Sequence, residues 1–209
     1  MIYIINHTDK EIPIMNNYKE LKVGPKYEDN GRDNINYLNP YINEATGLYD
    51  IWKNTTDDIV GLVHYRRIFE DNGDYLTIER AEEILKDYDI ILTEEYYPHE
   101  NITAAMKCVL LGDEQVLDKY INKIGEKEPN YKEYMKSKYF NPCEMFVAKR
   151  DAMDKYCEWV FDLMIPLAEE FKNDQVINKR LLGYLFEELL TYYCQQNNLK
   201  VYTMKVKYV

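Results

Sequence analysis

Apolar positions recur along this chain with two different periods. Ile2 to Asn6 and Ile59 to Val63 are short apolar runs, rich in β-branched residues and bounded by polar ones. Both predict buried strands. Asp89–Thr93, Glu144–Ala148 and Leu199–Met204 read the same way. Between them the spacing turns helical. Ala45, Leu48, Tyr49 and Trp52 share one face of a helix over Glu44–Lys53, with Asn43 as its expected cap. Ile78, Ala81, Ile84, Leu85 and Tyr88 define a second helix starting near Thr77. Asn101–Lys138 reads as two or three short helices broken at Gly112, Gly125 and Pro129. A long helix follows, with Met153, Tyr156, Cys157, Val160, Phe161 and Met164 in register and Pro166 expected to kink it. The last helix would bury Leu182, Leu185, Phe186, Leu189, Leu190 and Tyr193. Asp9–Pro40, with Pro13, Gly24, Pro25 and Gly31, is expected to be a long loop with little regular structure. Strand and helix alternate in the first half, which predicts an α/β sheet with a helical C-terminal half. No repeat or boundary divides the chain, so 1–209 reads as a single domain.

Composition narrows the function classes. The formal net charge of −11 argues against a nucleic-acid partner, which needs a basic face. No stretch is long and apolar enough to span a bilayer, and the first residues lack a basic, cleavable leader pattern. The expected location is the cytoplasm, or the inner face of the membrane. The 4 cysteines show no zinc-ligand spacing and read as reduced thiols. The 21 tyrosines suit carbohydrate clefts and interfaces, although a Lys/Asn/Ile/Tyr-rich chain carries many tyrosines in any case.

The chemistry concentrates where the central strand stops, at His64-Tyr65-Arg66-Arg67. Ligands of open α/β sheets sit beyond the C-terminal ends of strands. An arginine fork there suits a phosphate or diphosphate. The competing reading is an arginine pair on a solvated turn. The lone Asp-x-Asp, Asp87-Tyr88-Asp89, precedes its strand and reads as turn chemistry. Asp71 and Asp74 are a weaker alternative for a divalent metal.

Three blocks carry a family resemblance. They are Asp33-Asn34-Ile35 with Asn39-Pro40-Tyr41, Glu44, Thr46-Gly47-Leu48-Tyr49 and Trp52-Lys53-Asn54; Val60-Gly61-Leu62-Val63-His64-Tyr65-Arg66-Arg67; and Asn141, Met145-Phe146, Lys149 and Tyr156-Cys157-Glu158-Trp159. With Ile4-Ile5-Asn6-His7 at the start, they resemble a bacterial capsular and exopolysaccharide-biosynthesis family, catalogued as a domain of unknown function and treated as GT-A-type glycosyltransferases. Two places depart from that pattern. Only Tyr97 and His99 remain of a histidine-bearing segment, and Glu188 stands where the closing helix usually has arginine.

The resemblance implies a GT-A-like nucleotide-diphospho-sugar transferase. It would move a sugar from a nucleotide-sugar donor to a saccharide or lipid-linked saccharide acceptor. His7, Asp33, Asn34, Tyr65, Arg66 and Arg67 are the donor-binding candidates. Asp33 and Asn34 would otherwise be Asx-turn formers. His64, with the arginines, would stabilise the leaving diphosphate; otherwise it is a structural histidine at a strand end. Glu187 is the candidate general base, or else a solvated helix glutamate. Gly183 shares its helix face and would leave room for a ligand. His99 and Asn141 complete the acceptor side, Asn141 being equally fit to cap a turn. No metal is required, because the strand end presents cations where the GT-A pattern has metal-binding aspartates. The alternative is a non-catalytic module with a degenerate transferase fold that binds a sugar nucleotide or a glycan.

Overall fold

The computed structural model describes residues 1–12 and 14–209; Pro13, one residue of the expected loop, lies outside the described residues. Among them, nine strands join in one sheet with the path β2-β1-β3-β7-β6-β8. These are β1 (Ile2–Asn6), β2 (Tyr18–Lys22), β3 (Ile59–His64), β6 (Ile90–Thr93), β7 (Phe146–Lys149) and β8 (Val201–Met204). β4 (Arg67–Asp71) returns from the end of β3 and pairs with β5 (Asp74–Tyr75) and β9 (Val206–Tyr208). β1 and β3 run parallel, and β7 lies antiparallel between β3 and β6. The expected sheet and its central strand are therefore present.

Side-chain alternation assigns the two faces. Tyr3, Ile5, Val60 and Leu62 point into one core, where they meet α2 (Ala45–Asn54), α7 (Arg150–Phe171) and α8 (Leu181–Gln196). Ile2, Ile4 and Val63 point into the other, beneath α3 (Ile78–Ile84). Gly61 lies where the strands crowd: a Cβ there would meet Ile2 at 2.9 Å and Val147 at 3.0 Å. The tyrosines mostly serve the core. Tyr120, Tyr131 and Tyr192 are fully buried, with Tyr131 and Tyr192 in edge contact at 5.3 Å.

Several local expectations need correction. The 9–40 segment contains β2, parallel to β1 with Ile2 opposite Tyr18, and two single-turn 3-10 helices, Pro25–Tyr27 and Asn36–Leu38. The strand is hidden in the sequence because it lies at the sheet edge and buries only Tyr18 fully. Asn43 does not cap α2. It ends the one-turn helix α1 (Asn39–Ile42) at φ 48°, and Glu44 precedes α2. Gly125 lies inside α5 (Glu114–Lys127), between α4 (Ile102–Val109) and α6 (Tyr131–Tyr134). Asp71 and Asp74 face each other across the β4–β5 hairpin. α7 runs through Pro166 without ending. Among the described residues, no helix is long and apolar enough to cross a membrane.

Candidate functional site

Topology brings four chain segments to one edge of the sheet. β1 ends there with His7 next, β3 ends in His64, β6 leads into Tyr96–His99, and the antiparallel β7 starts there after Cys143-Glu144. Asp89, by contrast, lies at the opposite end of β6, where its carboxylate accepts from the Lys200 amide at 2.7 Å. The reading of Asp87-Tyr88-Asp89 as turn chemistry fits that geometry.

The strand has already ended after His64. Tyr65 and Arg66 form the turn of a hairpin in which His64 pairs with Arg67. Arg66 is exposed, with its guanidinium 5.0 Å from the Tyr65 ring. The His7 ring meets the same tyrosine edge-on at 5.2 Å. Arg67 turns inward, its guanidinium 5.6 Å from the Tyr208 ring and its Nε without a partner. Neither arginine pairs with Asp33 or Asp58 among the described ion pairs.

His64 is 5% exposed, with Nδ1 3.6 Å from a Glu44 carboxylate oxygen and Nε2 unpartnered. Burial lowers its pKa against the pull of Glu44, so the imidazole is neutral at neutral pH. The strand end therefore carries the charge of Arg66 and Arg67, and His64 supplies a hydrogen-bonding group.

Three glutamates converge behind these residues, each in a different state. Burial pushes Glu44 up, but His64, its own backbone amide and Arg180 hold it below the ordinary value. Glu144 is 2% exposed, and burial followed by Glu44 and Glu187 raises it well above the carboxylate range. Glu187 is half-buried and pushed up to about 7, by burial first and then Glu44, against the Cys143 amide, Arg180 and Arg67. Carboxyls driven apart in this way mark sites where one group can hold a proton while another accepts one. The turn that supports Glu187 is strained. Cys143 and Glu144 sit in the left-handed region at φ 79° and 50°, and the Cys143 amide donates to the Glu187 carboxylate at 2.9 Å.

Glu187 also lines a cleft of 670 Å³, shared with His99, Tyr96, Phe140 and Tyr184 and walled on one side by α4. A smaller recess of 180 Å³ gathers His7, Asn43, Glu44 and Arg180. Glu187 and His99 are thus brought together. Gly183 lies nearby but leaves no room for a ligand, because a Cβ there would collide with the Asn43 side-chain amide. The glycine serves a close approach of α8 to α1. Asn141 does not line the cleft. Its Nδ2 donates to the Thr93 carbonyl at 2.6 Å, and its Oδ1 accepts from Thr191 at 3.2 Å. Asp33 and Asn34 lie elsewhere. The Asp33 amide donates to Asn54 at the far end of α2, about 15 Å along the helix from Glu44 at a rise of 1.5 Å per residue. The Asn34 amide donates to carbonyls of its own loop.

Sequence reasoning passes over Glu44, Glu144 and Arg180. A glutamate beside an apolar run looks like a solvated end, and Arg180 precedes α8 in a polar stretch. One available signal is the place of Glu44 within the first family block. Among the described residues no group of three or more His, Cys, Asp or Glu side chains is arranged to hold an ion, and Arg67 lies near Glu187.

This α/β fold, a helix-flanked sheet with a polar cluster at its strand ends, is similar to that of a solved enzyme. The relative is WbbM, a bifunctional glycosyltransferase in its apo form, with a TM-score of 0.80 and 22% sequence identity. The alignment covers 100% of this chain and 45% of the WbbM chain, so this chain spans less than half the length of that relative. Residues 1–198 match DUF4422, a domain of unknown function, and the chain belongs to that family. No curated protein matches it.

Proposed function

We propose that this protein transfers a sugar from a nucleotide-sugar donor to a saccharide acceptor in capsular or exopolysaccharide synthesis. The observation that carries the reading is the position of Glu187. It stands between the cationic strand end and a cleft large enough for an acceptor, with a pKa near 7. A general base works best when its pKa lies near the operating pH. The acceptor hydroxyl loses its proton to Glu187 as its oxygen attacks the anomeric carbon, and the nucleoside diphosphate leaves with the bonding pair. Arg66 and Arg67 neutralise the charge developing on that diphosphate, with His64, His7 and Tyr65 around them. His99 lies on the acceptor side. The glycosyltransferase activity in the name of WbbM, whose fold this chain shares, supports the same reading.

The test is release of nucleoside diphosphate from a panel of sugar nucleotides without acceptor, water taking the acceptor's place. The wild type should turn over at least one donor slowly. Glu187→Gln should keep donor affinity and lose about 10²- to 10⁴-fold in rate, the usual contribution of a general base. A donor that binds but is never cleaved, with or without a saccharide acceptor, would identify a non-catalytic binding module instead.

A further inference from the structure

The cleft beside Glu187 has two chemically different walls. One carries Tyr96, Phe140 and Tyr184 with the carboxyl groups, which suits a sugar ring. The other is the face of α4, where Ala104, Ala105 and Val109 present aliphatic surface over the buried Met106, beside the Cys108 thiol. Sugar hydroxyls buried there would lose water without finding partners. The aliphatic surface continues past the rim, where Val109, Leu111 and Ile177 are 57%, 72% and 77% exposed. Gly112 brings the last of these close, since a Cβ on it would collide with the Ile177 side chain. Exposed apolar surface continuous with a cleft marks a place that something apolar covers.

Charge restricts the occupant further. Glu100, Glu187 and Glu188 line the cleft with His99, and no lysine or arginine is among the described residues that line it. Lys107 of α4 points away and pairs with Asp118 at 2.8 Å. A phosphate or diphosphate entering here would find no lysine or arginine among those residues to meet it.

Resting on the transferase reading above, we propose that the cleft takes an acceptor whose sugar carries an uncharged aliphatic aglycone. The sugar lies against the aromatic wall with a hydroxyl at Glu187. The aglycone runs along α4 and out over Val109, Leu111 and Ile177. An isoprenoid joined to its sugar through a diphosphate is the disfavoured alternative.

Cys108 reports on occupancy directly, because it lines the cleft and is exposed. Burial pushes the Cys143 thiol up to about 11, so the two can be told apart by following the Cys108 peptide with mass spectrometry. Sub-micellar octyl glucoside should slow alkylation of Cys108 at least fivefold at saturation. Methyl glucoside and farnesyl diphosphate at the same concentrations should change it less than twofold. Val109→Glu, a substitution at an exposed position, should abolish the protection by octyl glucoside. Ala105→Trp, which fills the cleft, should abolish it as well. Equal protection by methyl glucoside would make the cleft a plain sugar site and overturn the proposal. Equal protection by farnesyl diphosphate, or protection that persists in both folded variants, would overturn it too. Absent donor hydrolysis with intact protection would instead sink the transferase reading and leave the apolar site standing.

Discussion

Glu187 draws its environment from residues that its sequence neighbourhood does not contain. Its helical spacing from Gly183 is readable, but its proton affinity is not. That affinity comes from burial, the Cys143 amide, Glu44 and two arginines, which lie far apart in the chain. If Glu187 is the base, turnover should rise with pH through about 7 and then level, since only the carboxylate accepts a proton. Glu187→Gln should remove that limb, and a pH–rate profile of the two proteins checks it. Arg67 lowers Glu187 by its charge, so Arg67→Ala should move the limb to higher pH. Arg66 is expected to behave differently. It is exposed on the turn and joins no described ion pair, so Arg66→Ala should leave the urea midpoint unchanged. Calorimetry should show it weakening nucleoside diphosphate binding about ten- to a hundredfold, which corresponds to a charged hydrogen bond of roughly 1.5–3 kcal/mol. Unweakened binding would remove Arg66 from the donor site. The position of His64 at a strand end was legible, but its lowered proton affinity was not, because that depends on packing.

Individual elements were legible where their periodicity is undiluted. The runs Ile2–Asn6 and Ile59–Val63 and the faces of α2, α7 and α8 appear where the apolar spacing puts them. What stayed hidden has a physical reason in each case. β2 has one solvated side, so Tyr18 is its only fully buried residue. The β3–β4 hairpin follows from the turn at Tyr65-Arg66, a pair without the glycine or asparagine that usually announces one. The left-handed Cys143-Glu144 turn uses residues with no preference for that conformation. Gly183 illustrates a glycine whose purpose the sequence hides. Its missing side chain admits Asn43, not a ligand. Gly183→Ala should therefore destabilise by about 1–3 kcal/mol, the usual cost of overpacking. Asn43 has φ 48°, which glycine tolerates, so the same step should cost less than half as much in an Asn43→Gly background. Equal costs in the two backgrounds, read from urea midpoints, would separate Gly183 from Asn43.

At the scale of the whole molecule, the sheet gathers several buried ionisable groups at one edge, and stability should record it. Glu144, Glu187 and Glu188 are all raised in the folded chain, by burial first and by neighbouring carboxylates second. A raised acid means that the folded protein holds protons the unfolded chain has released. Between the ordinary value of 4.5 and about 7 for Glu187, and beyond for the other two, each therefore makes stability fall as pH rises. His7 and His64 act in the opposite sense. Their lowered values make stability rise with pH up to the ordinary value of 6.5. Total stability mixes these slopes, so the informative quantity is the difference between Glu187→Gln and the wild type. The amide cannot ionise, and the variant should gain on the wild type from pH 5 to about pH 7 and level off by pH 8. Urea midpoints at pH 5, 6.5 and 8 in fixed salt measure that gain. A constant difference across the three would mean that Glu187 titrates as an ordinary surface carboxylate, which would remove the physical ground for its role as base.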